Sequence, residues 1–129
     1  MTRVKGFCCN YTIGVDVDAL VKEGMVPKGL EIERLPCSGR LEVEQLLDAF
    51  TQGADAVFVV GCEPETCHNL TGSRRAAKRV LACKKIISEL GMDQGLVEMF
   101  FAGRGETEPV IKAARTMAER VSAGHDKGD

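Results

Sequence analysis

The stretch ADAVFVVG at residues 54–61 decides the fold, because it is almost entirely apolar and ends in a glycine that Cys62 follows. Such a run is typical of a strand that is covered on both faces, as in a parallel sheet between helices. Three further segments have the character of strands, at residues 4–9, 30–36 and 96–102. The second of these, LEIERLP, alternates apolar and charged residues, which predicts a strand at an edge of the sheet.

The segments that follow the predicted strands have the periodicity of helices. Apolar residues recur three and four positions apart, so that each interval presents one apolar stripe. The stripes are Val43, Leu46, Leu47 and Phe50; Ala76, Val80, Cys83, Ile87 and Leu90; Val110, Ala114, Met117 and Val121; and a weaker one at Val17, Leu20 and Val21. Gly91 is predicted to end the third helix and Thr107 to cap the fourth. Cys83 is expected to be a core residue.

The predicted order of elements is β-α-β-α-β-α-β-α. This alternation predicts an α/β domain of three layers, with a four-stranded parallel sheet between helices. Right-handed crossovers limit the strand order, and we expect 2-1-3-4, a small flavodoxin-like (Rossmann-like) arrangement. A chain of 129 residues fits one domain. We assign the domain to residues 1–121 and expect residues 122–129, which carry no pattern, to form a flexible tail.

The composition argues against several classes of partner and location. The net charge is −2, so nucleic acid is not an expected partner. No apolar run approaches the roughly 20 residues of a membrane-spanning helix. Arg3 and Lys5 are not followed by the apolar segment of a secretory signal. We therefore expect a soluble cytoplasmic protein without membrane insertion.

Five of the six cysteines lie at or after the ends of predicted strands. Cys8 and Cys9 end the first strand, Cys37 follows the second, and Cys62 and Cys67 follow the third. The carboxyl ends of parallel strands share one edge of the sheet, and ligands bind in the crevice there. Three segments that are distant in sequence are therefore expected to bring thiols to one place.

Clustered thiols serve several chemistries. Four thiolates suit either zinc or an iron–sulfur cluster. Structural zinc sites usually contain two tight pairs of ligands, whereas here only the loop from Cys62 to Cys67 is such a pair. A thiol-disulfide oxidoreductase would use Cys8–Cys9 or Cys62–Cys67, and a disulfide framework would need an oxidising compartment. The spacing favours an iron–sulfur site and leaves a zinc-stabilised interaction module and a dithiol enzyme open.

The sequence PCSGR at residues 36–40 runs from the second strand toward the second helix. Backbone N–H groups at a helix N-terminus favour negative charge, and a thiolate-ligated cluster is an anion. Gly39 has no Cβ to obstruct the approach, and Arg40 can offset the charge of the cluster. Ser38, Gly39 and Arg40 are therefore candidate cofactor-binding residues. An ordinary tight turn also needs serine and glycine, and it explains the same residues equally well.

The sequence SRRAAKR at residues 73–79 opens the third helix with four basic residues. A solvated helix face is the usual interpretation of such a run. Like charges near the positive end of a helix dipole are mildly unfavourable, however. This cost gives weight to a second interpretation, in which the run docks an acidic partner.

Four separated segments resemble one known family in order and spacing. They are GFCCNY at residues 6–11, CSGR at 37–40, GADAV at 53–57 leading to GC-x4-CH at 61–68, and G-x-x-x-A-x-x-R-V at 72–80. The family is the delta subunit of methyl-viologen-reducing hydrogenase, and the similarity runs from about residue 4 to about residue 121. Thr12 departs from the pattern, since the family commonly has a further cysteine at this point.

The resemblance implies an electron-transfer adaptor with one 2Fe–2S cluster. It implies a place between an electron-donating module, such as a hydrogenase or formate dehydrogenase, and the flavin-bearing A subunit of heterodisulfide reductase. Single electrons would be relayed there in flavin-based bifurcation or confurcation. We predict that the cluster ligands are Cys9, Cys37, Cys62 and Cys67, with Cys8 as the alternative from the first strand. Adjacent residues of a strand point to opposite faces, so one of the pair Cys8–Cys9 is expected to face the site.

Overall fold

The computed structural model of the protein describes residues 3–9, 17–24, 26, 28–35, 41–62, 72–102 and 108–128. Within these ranges it contains four strands and four helices. The strands are β1 (Val4–Cys9), β2 (Leu30–Leu35), β3 (Ala56–Cys62) and β4 (Val97–Ala102). The helices are α1 (Val17–Lys22), α2 (Val43–Thr51), α3 (Gly72–Glu89) and α4 (Glu108–Gly128), and a 3₁₀ turn at Gln94–Leu96 leads into β4.

The four strands form one parallel sheet in the order β2-β1-β3-β4. The predicted α/β class and the predicted order 2-1-3-4 are therefore confirmed. β1 and β3 occupy the centre, where each strand is hydrogen-bonded on both sides. β2 and β4 form the two edges, and the edge position expected for β2 from its charged alternation is also confirmed.

Helices cover both faces of the sheet, as the alternating side chains of β3 show. Ala56, Phe58 and Val60 pack in the cluster that contains α4, and Val57 and Val59 pack in the cluster that contains α2 and α3. All five side chains are 0% exposed. This coverage on both faces is the reason why the strand is apolar throughout. The two sides of the sheet are called the α4 face and the α2/α3 face below.

Gly6 in β1 leaves room for the ring of Phe58. The two residues are in register across β1 and β3. A Cβ built on Gly6 would lie 2.8 Å and 2.9 Å from the two Cε atoms of Phe58, and closer still to Cζ. The same ring makes an edge-to-face contact with Phe100, with 6.3 Å between the ring centroids. The core of the α4 face is thus built on a backbone position that has no side chain.

Gly91 ends α3 as predicted. Its φ of 87° is in the left-handed region, which a glycine adopts without steric cost. The N–H of Gly91 donates to the carbonyl of Ser88 at 3.0 Å, and the N–H of Met92 donates to that of Ile87 at 2.9 Å. This pair of bonds satisfies two carbonyls of the last helical turn in a Schellman motif.

Glu98 connects the edge strand β4 to a helix on each side of the sheet. Its carboxylate accepts hydrogen bonds from Lys84 of α3 at 3.2 Å and from Arg120 of α4 at 3.0 Å. Burial raises the pKa of Glu98, but the hydrogen bonds from Arg120, Lys84 and the N–H of Met99 outweigh burial and hold the pKa below its ordinary value of 4.5. The charged form is therefore favoured in the folded protein.

Replacing Glu98 by glutamine is expected to lower the free energy of unfolding at pH 7 by about 1 kcal/mol, because two charge-assisted hydrogen bonds are weakened. The native pKa is the lower one, so the advantage of the wild-type carboxylate is present above pH 4.5 and is lost as the pH falls below it. Urea unfolding at pH 7 and at pH 4 measures both effects. Glu31→Gln is the control, because this carboxylate pairs with Lys5 at the surface, and an equal loss there would contradict the prediction.

α4 continues to Gly128, well beyond Val121, where its apolar stripe ends. A helix can extend past its last buried residue because its backbone hydrogen bonds are internal. The side chains after Ser122 lie outside the described residues, as does the predicted cap Thr107, and a flexible tail at 122–129 remains a prediction. None of the helices in the described ranges has the length and apolarity needed to cross a membrane.

Candidate metal centre

Two of the predicted ligands end the two central strands. Cys9 is the last residue of β1 and Cys62 is the last residue of β3. Cys8 is in register with Val60, so Cys62 stands one residue further toward the carboxyl edge than Cys9 does. With about 4.8 Å between strands and about 3.3 Å per residue, the two Cα atoms are about 6 Å apart. The topology therefore brings both backbones to one point of the edge, while their side chains are not described.

Cys8 has the surroundings of a core residue. It is 0% exposed and belongs to the cluster on the α4 face. The preceding residue, Phe7, packs on the α2/α3 face, as alternation along a strand requires. Cys8 thus belongs to the core that the sheet forms with α4.

The remaining predicted site residues follow strand ends and lie outside the described residues. They are Cys37, Ser38, Gly39, Arg40 and Cys67. Among the described residues, no group of three or more histidine, cysteine, aspartate or glutamate side chains is placed to hold a metal ion. The ligand set and the cofactor-binding residues therefore stay predictions.

Leu41 fixes the end of the segment that contains Cys37. Its side chain is 0% exposed and packs on the α2/α3 face. Helix α2 begins two residues later at Val43, after the N-cap Glu42, whose N–H donates to Oε1 of Gln45 at 2.8 Å. Residues 36–40 therefore connect the end of β2 to a buried anchor beside a helix N-terminus. Sequence reasoning missed this anchor, although an apolar residue directly before the helix was a visible sign of it.

A charged contact joins the N-cap of α2 to the second turn of α3. Nε of Arg79 in α3 lies 3.6 Å from Oε2 of Glu42. The segments that contain Cys37 and Cys67 lead into these two helices. The contact therefore ties the start of α2 to a point on α3 that lies seven residues after α3 begins.

Cys83 is a core residue, as predicted. Its side chain is 0% exposed and packs on the α2/α3 face. Burial raises the pKa of the thiol to about 11, although the nearby charge of Lys84 acts in the opposite direction. The thiolate is the form that binds metals and reacts as a nucleophile, so Cys83 is unsuited to either role.

We expect Cys83 to resist alkylation by iodoacetamide in the folded protein at pH 8, because the thiol is buried and stays protonated. The same residue should react fully in urea, where its pKa returns to the ordinary range. Peptide mapping by mass spectrometry after both treatments measures the labelled fraction. Labelling of Cys83 at the same rate with and without urea would contradict the buried position.

The chain matches the family model for the methyl-viologen-reducing hydrogenase, delta subunit, over residues 4–123. It is 35% identical over 120 residues to the vhu iron-sulfur subunit of the F420-non-reducing hydrogenase of Methanopyrus kandleri, covering 92% of this chain and 90% of that protein. It is 38% identical over 122 residues to the vhc iron-sulfur subunit of the F420-non-reducing hydrogenase of Methanococcus voltae, covering 94% of this chain and 85% of that protein.

A larger protein contains a similar stretch. The A subunit of the ferredoxin:CoB-CoM heterodisulfide reductase of Methanosarcina mazei is 32% identical to this chain over 106 residues, which are 81% of this chain and 13% of that larger protein. The matched family model spans nearly all of the described fold, including the ends of all four strands. The chain therefore belongs to the family of the delta subunit of methyl-viologen-reducing hydrogenase, as its four sequence motifs had indicated.

Proposed function

We propose that this chain is an electron-transfer subunit that relays single electrons through a 2Fe–2S cluster. The ligands in this proposal are Cys9, Cys37, Cys62 and Cys67. The observation that carries it is that the backbones of Cys9 and Cys62 lie close together at the carboxyl ends of the adjacent central strands. Relatives that are named as iron-sulfur subunits support the class of cofactor.

The short length of chain between β2 and Cys37 supports the inclusion of Cys37 in the ligand set. It lies two residues beyond Leu35, which is in register with Cys9 on the neighbouring strand. A chain spans at most about 3.5 Å per residue, so the Cα of Cys37 stays within about 7 Å of the Cα of Leu35. Cys67 is limited in the same way by its five-residue separation from Cys62. The backbones of Cys9, Cys37 and Cys62 are thus limited to one edge of the sheet, and Cys67 to within about 18 Å of Cys62.

Two properties of such a site suit an iron–sulfur cluster: the chemistry of the thiolate ligands, and the fixed backbone positions at the ends of the strands. Thiolate sulfur is the usual protein ligand of iron–sulfur clusters, which accept and release one electron at a time. The backbones of Cys9 and Cys62 are paired with Leu35 of β2 and Ala102 of β4, which holds them in position. A fixed frame keeps the ligands in one geometry in both oxidation states, which favours rapid electron transfer. No acid or base group is needed for this role.

We also propose the partners. One is a hydrogenase or another electron-donating subunit, and the other is a flavoprotein similar to the A subunit of heterodisulfide reductase. The iron-sulfur relatives are named as hydrogenase subunits, which supports the first. The A subunit of the Methanosarcina mazei reductase contains a stretch similar to this chain, which supports the second. In such a complex the chain would carry electrons in flavin-based bifurcation.

Anaerobic purification tests the proposal directly. The chain should be brown and contain about two iron and two sulfide per molecule, and one-electron reduction should produce an electron paramagnetic resonance signal. A zinc-stabilised interaction module would be colourless and contain zinc. A dithiol enzyme would be colourless and contain no metal. Either colourless outcome, after reconstitution with iron and sulfide has also failed, would contradict the proposed function.

A further inference from the structure

Helix α3 concentrates positive charge in a chain whose net charge is −2. Six of the 18 residues of α3 are basic, and Glu89 at its end is the one acidic residue. Those six are about a third of the 17 lysines and arginines in the whole sequence. The charge is thus a local feature of this helix.

The basic side chains of α3 that the structure describes divide into two groups. Arg79 and Lys84 are partly buried and pair with Glu42 and Glu98, so their charges serve the fold. In contrast, Arg75, Lys78 and Lys85 are exposed, and no carboxylate of the described residues lies within 4.0 Å of their side-chain nitrogens. Residues three, seven and ten positions apart share one face of a helix. The outer face of α3 therefore carries positive charge that the described fold does not use.

Exposed apolar side chains border this face. Leu81 is 63% exposed and stands three positions before Lys84, which reaches β4. Leu81 therefore lies on the side of α3 that faces β4. Phe101 of β4 is 41% exposed, and it follows Val97 and Met99 in the alternation that faces α3. We define the α3 surface as Arg75, Lys78, Leu81, Lys85 and Phe101.

The α3 surface begins at the edge of the sheet where β1 and β3 end at Cys9 and Cys62. Lys84, in the second half of α3, donates to the carbonyl of Gln94, which precedes β4, so the start of α3 lies at the opposite, carboxyl edge. Phe101 is in register with Gly61, directly before Cys62. A partner on this surface would therefore contact the domain next to the candidate metal centre.

We propose that the α3 surface docks an acidic face of the flavoprotein that is similar to the A subunit of heterodisulfide reductase. This inference rests on the proposed function. Exposed basic residues around leucine and phenylalanine match a partner that presents carboxylates around an apolar centre. The flavoprotein is chosen because a stretch similar to this chain occurs within the A subunit of the Methanosarcina mazei reductase. Opposite charges would orient the two proteins and speed their encounter.

The test uses the iron-loaded full chain and the purified flavoprotein from the same genome, with the dissociation constant measured between 50 and about 500 mM salt. The test variant carries Arg75→Glu, Lys78→Glu and Lys85→Glu. The control variant carries Lys22→Glu, Lys28→Glu and Lys112→Glu, which change the net charge equally at exposed positions outside α3. Iron content and circular dichroism establish that each variant is folded.

We expect the α3 variant to bind at least about tenfold more weakly at low salt, and to lose most of the salt dependence of the wild type. The control variant should bind within about threefold of the wild type. Equal weakening of both variants, or unchanged binding of the α3 variant, would overturn the α3 surface and leave the proposed function standing. Absence of any binding by the wild-type chain would instead overturn the proposed partner, and the α3 surface with it.

Discussion

Replacing Cys62 by serine is expected to abolish the cluster, leaving a colourless protein with less than about a tenth of the wild-type iron. Serine is nearly the same size as cysteine, but its hydroxyl stays protonated at neutral pH and is a hard ligand where iron–sulfur clusters need soft thiolate. The backbone of residue 62 is paired with β4 at Ala102. This pairing prevents the backbone from shifting to bring another ligand to the iron. Iron quantitation and the visible absorption spectrum after anaerobic purification measure the loss.

Cys83→Ala is the matched control for this loss. It removes one thiol from a buried position on the α2/α3 face, away from the strand ends. Its iron content and spectrum should equal those of the wild type, although stability falls because a core side chain becomes smaller. Cys37→Ser should behave like Cys62→Ser. A normal cluster in either of these two variants would show that the proposed ligand set is wrong.

The same measurement separates Cys8 from Cys9. If Cys9 is the ligand, Cys9→Ser loses the cluster, whereas Cys8→Ala keeps it and is only destabilised. Cys8 is buried in the cluster on the α4 face, where Val60, two residues before Cys62, also packs. The reverse pattern would assign the ligand to Cys8 and would mean that the metal centre reaches into that apolar cluster.

Much of the fold could be predicted because its causes are local in the sequence. The apolar run of β3 indicates coverage on both faces, and the charged alternation of β2 indicates an edge. Right-handed crossovers then leave few arrangements of four strands. The pairing of Glu98 with Lys84 and Arg120 could not be predicted. It joins residues of β4, α3 and α4 whose distances depend on the finished packing.

The candidate site was predictable only as far as strand topology determines it. The end of a strand is fixed by the sheet, so the proximity of the backbones of Cys9 and Cys62 follows from the strand order. The positions of Cys37 and Cys67 depend on the path of segments without periodicity, for which sequence gives only a limit of reach. Leu41 lies between these cases, since an apolar residue just before a helix indicates an anchor, whereas its place in the α2/α3 cluster depends on the packing of both helices.

Gly6→Ala is expected to destabilise the protein by about 3 kcal/mol, at the upper end of what one extra methyl group costs in a packed core. The new Cβ would meet the ring of Phe58 within 3 Å at several atoms. The ring is 0% exposed and also makes an edge-to-face contact with Phe100, so moving it away from Gly6 would disturb the packing of the core. Chemical denaturation of wild type and variant gives the difference in the free energy of unfolding.

Two comparisons establish that steric conflict with Phe58 is the cause. Gly24→Ala tests a glycine that has a φ of 74° and no atom within 4 Å of a new Cβ, so it should cost only the backbone strain of about 1 kcal/mol. Phe58→Leu shortens the ring side chain, so Gly6→Ala should be much less destabilising in that background than in the wild type. Equal costs of Gly6→Ala in both backgrounds would place its effect in the backbone of β1. In that case the loss of stability would come from strain in the backbone of the strand that carries Cys9, and not from the packing of the α4 face.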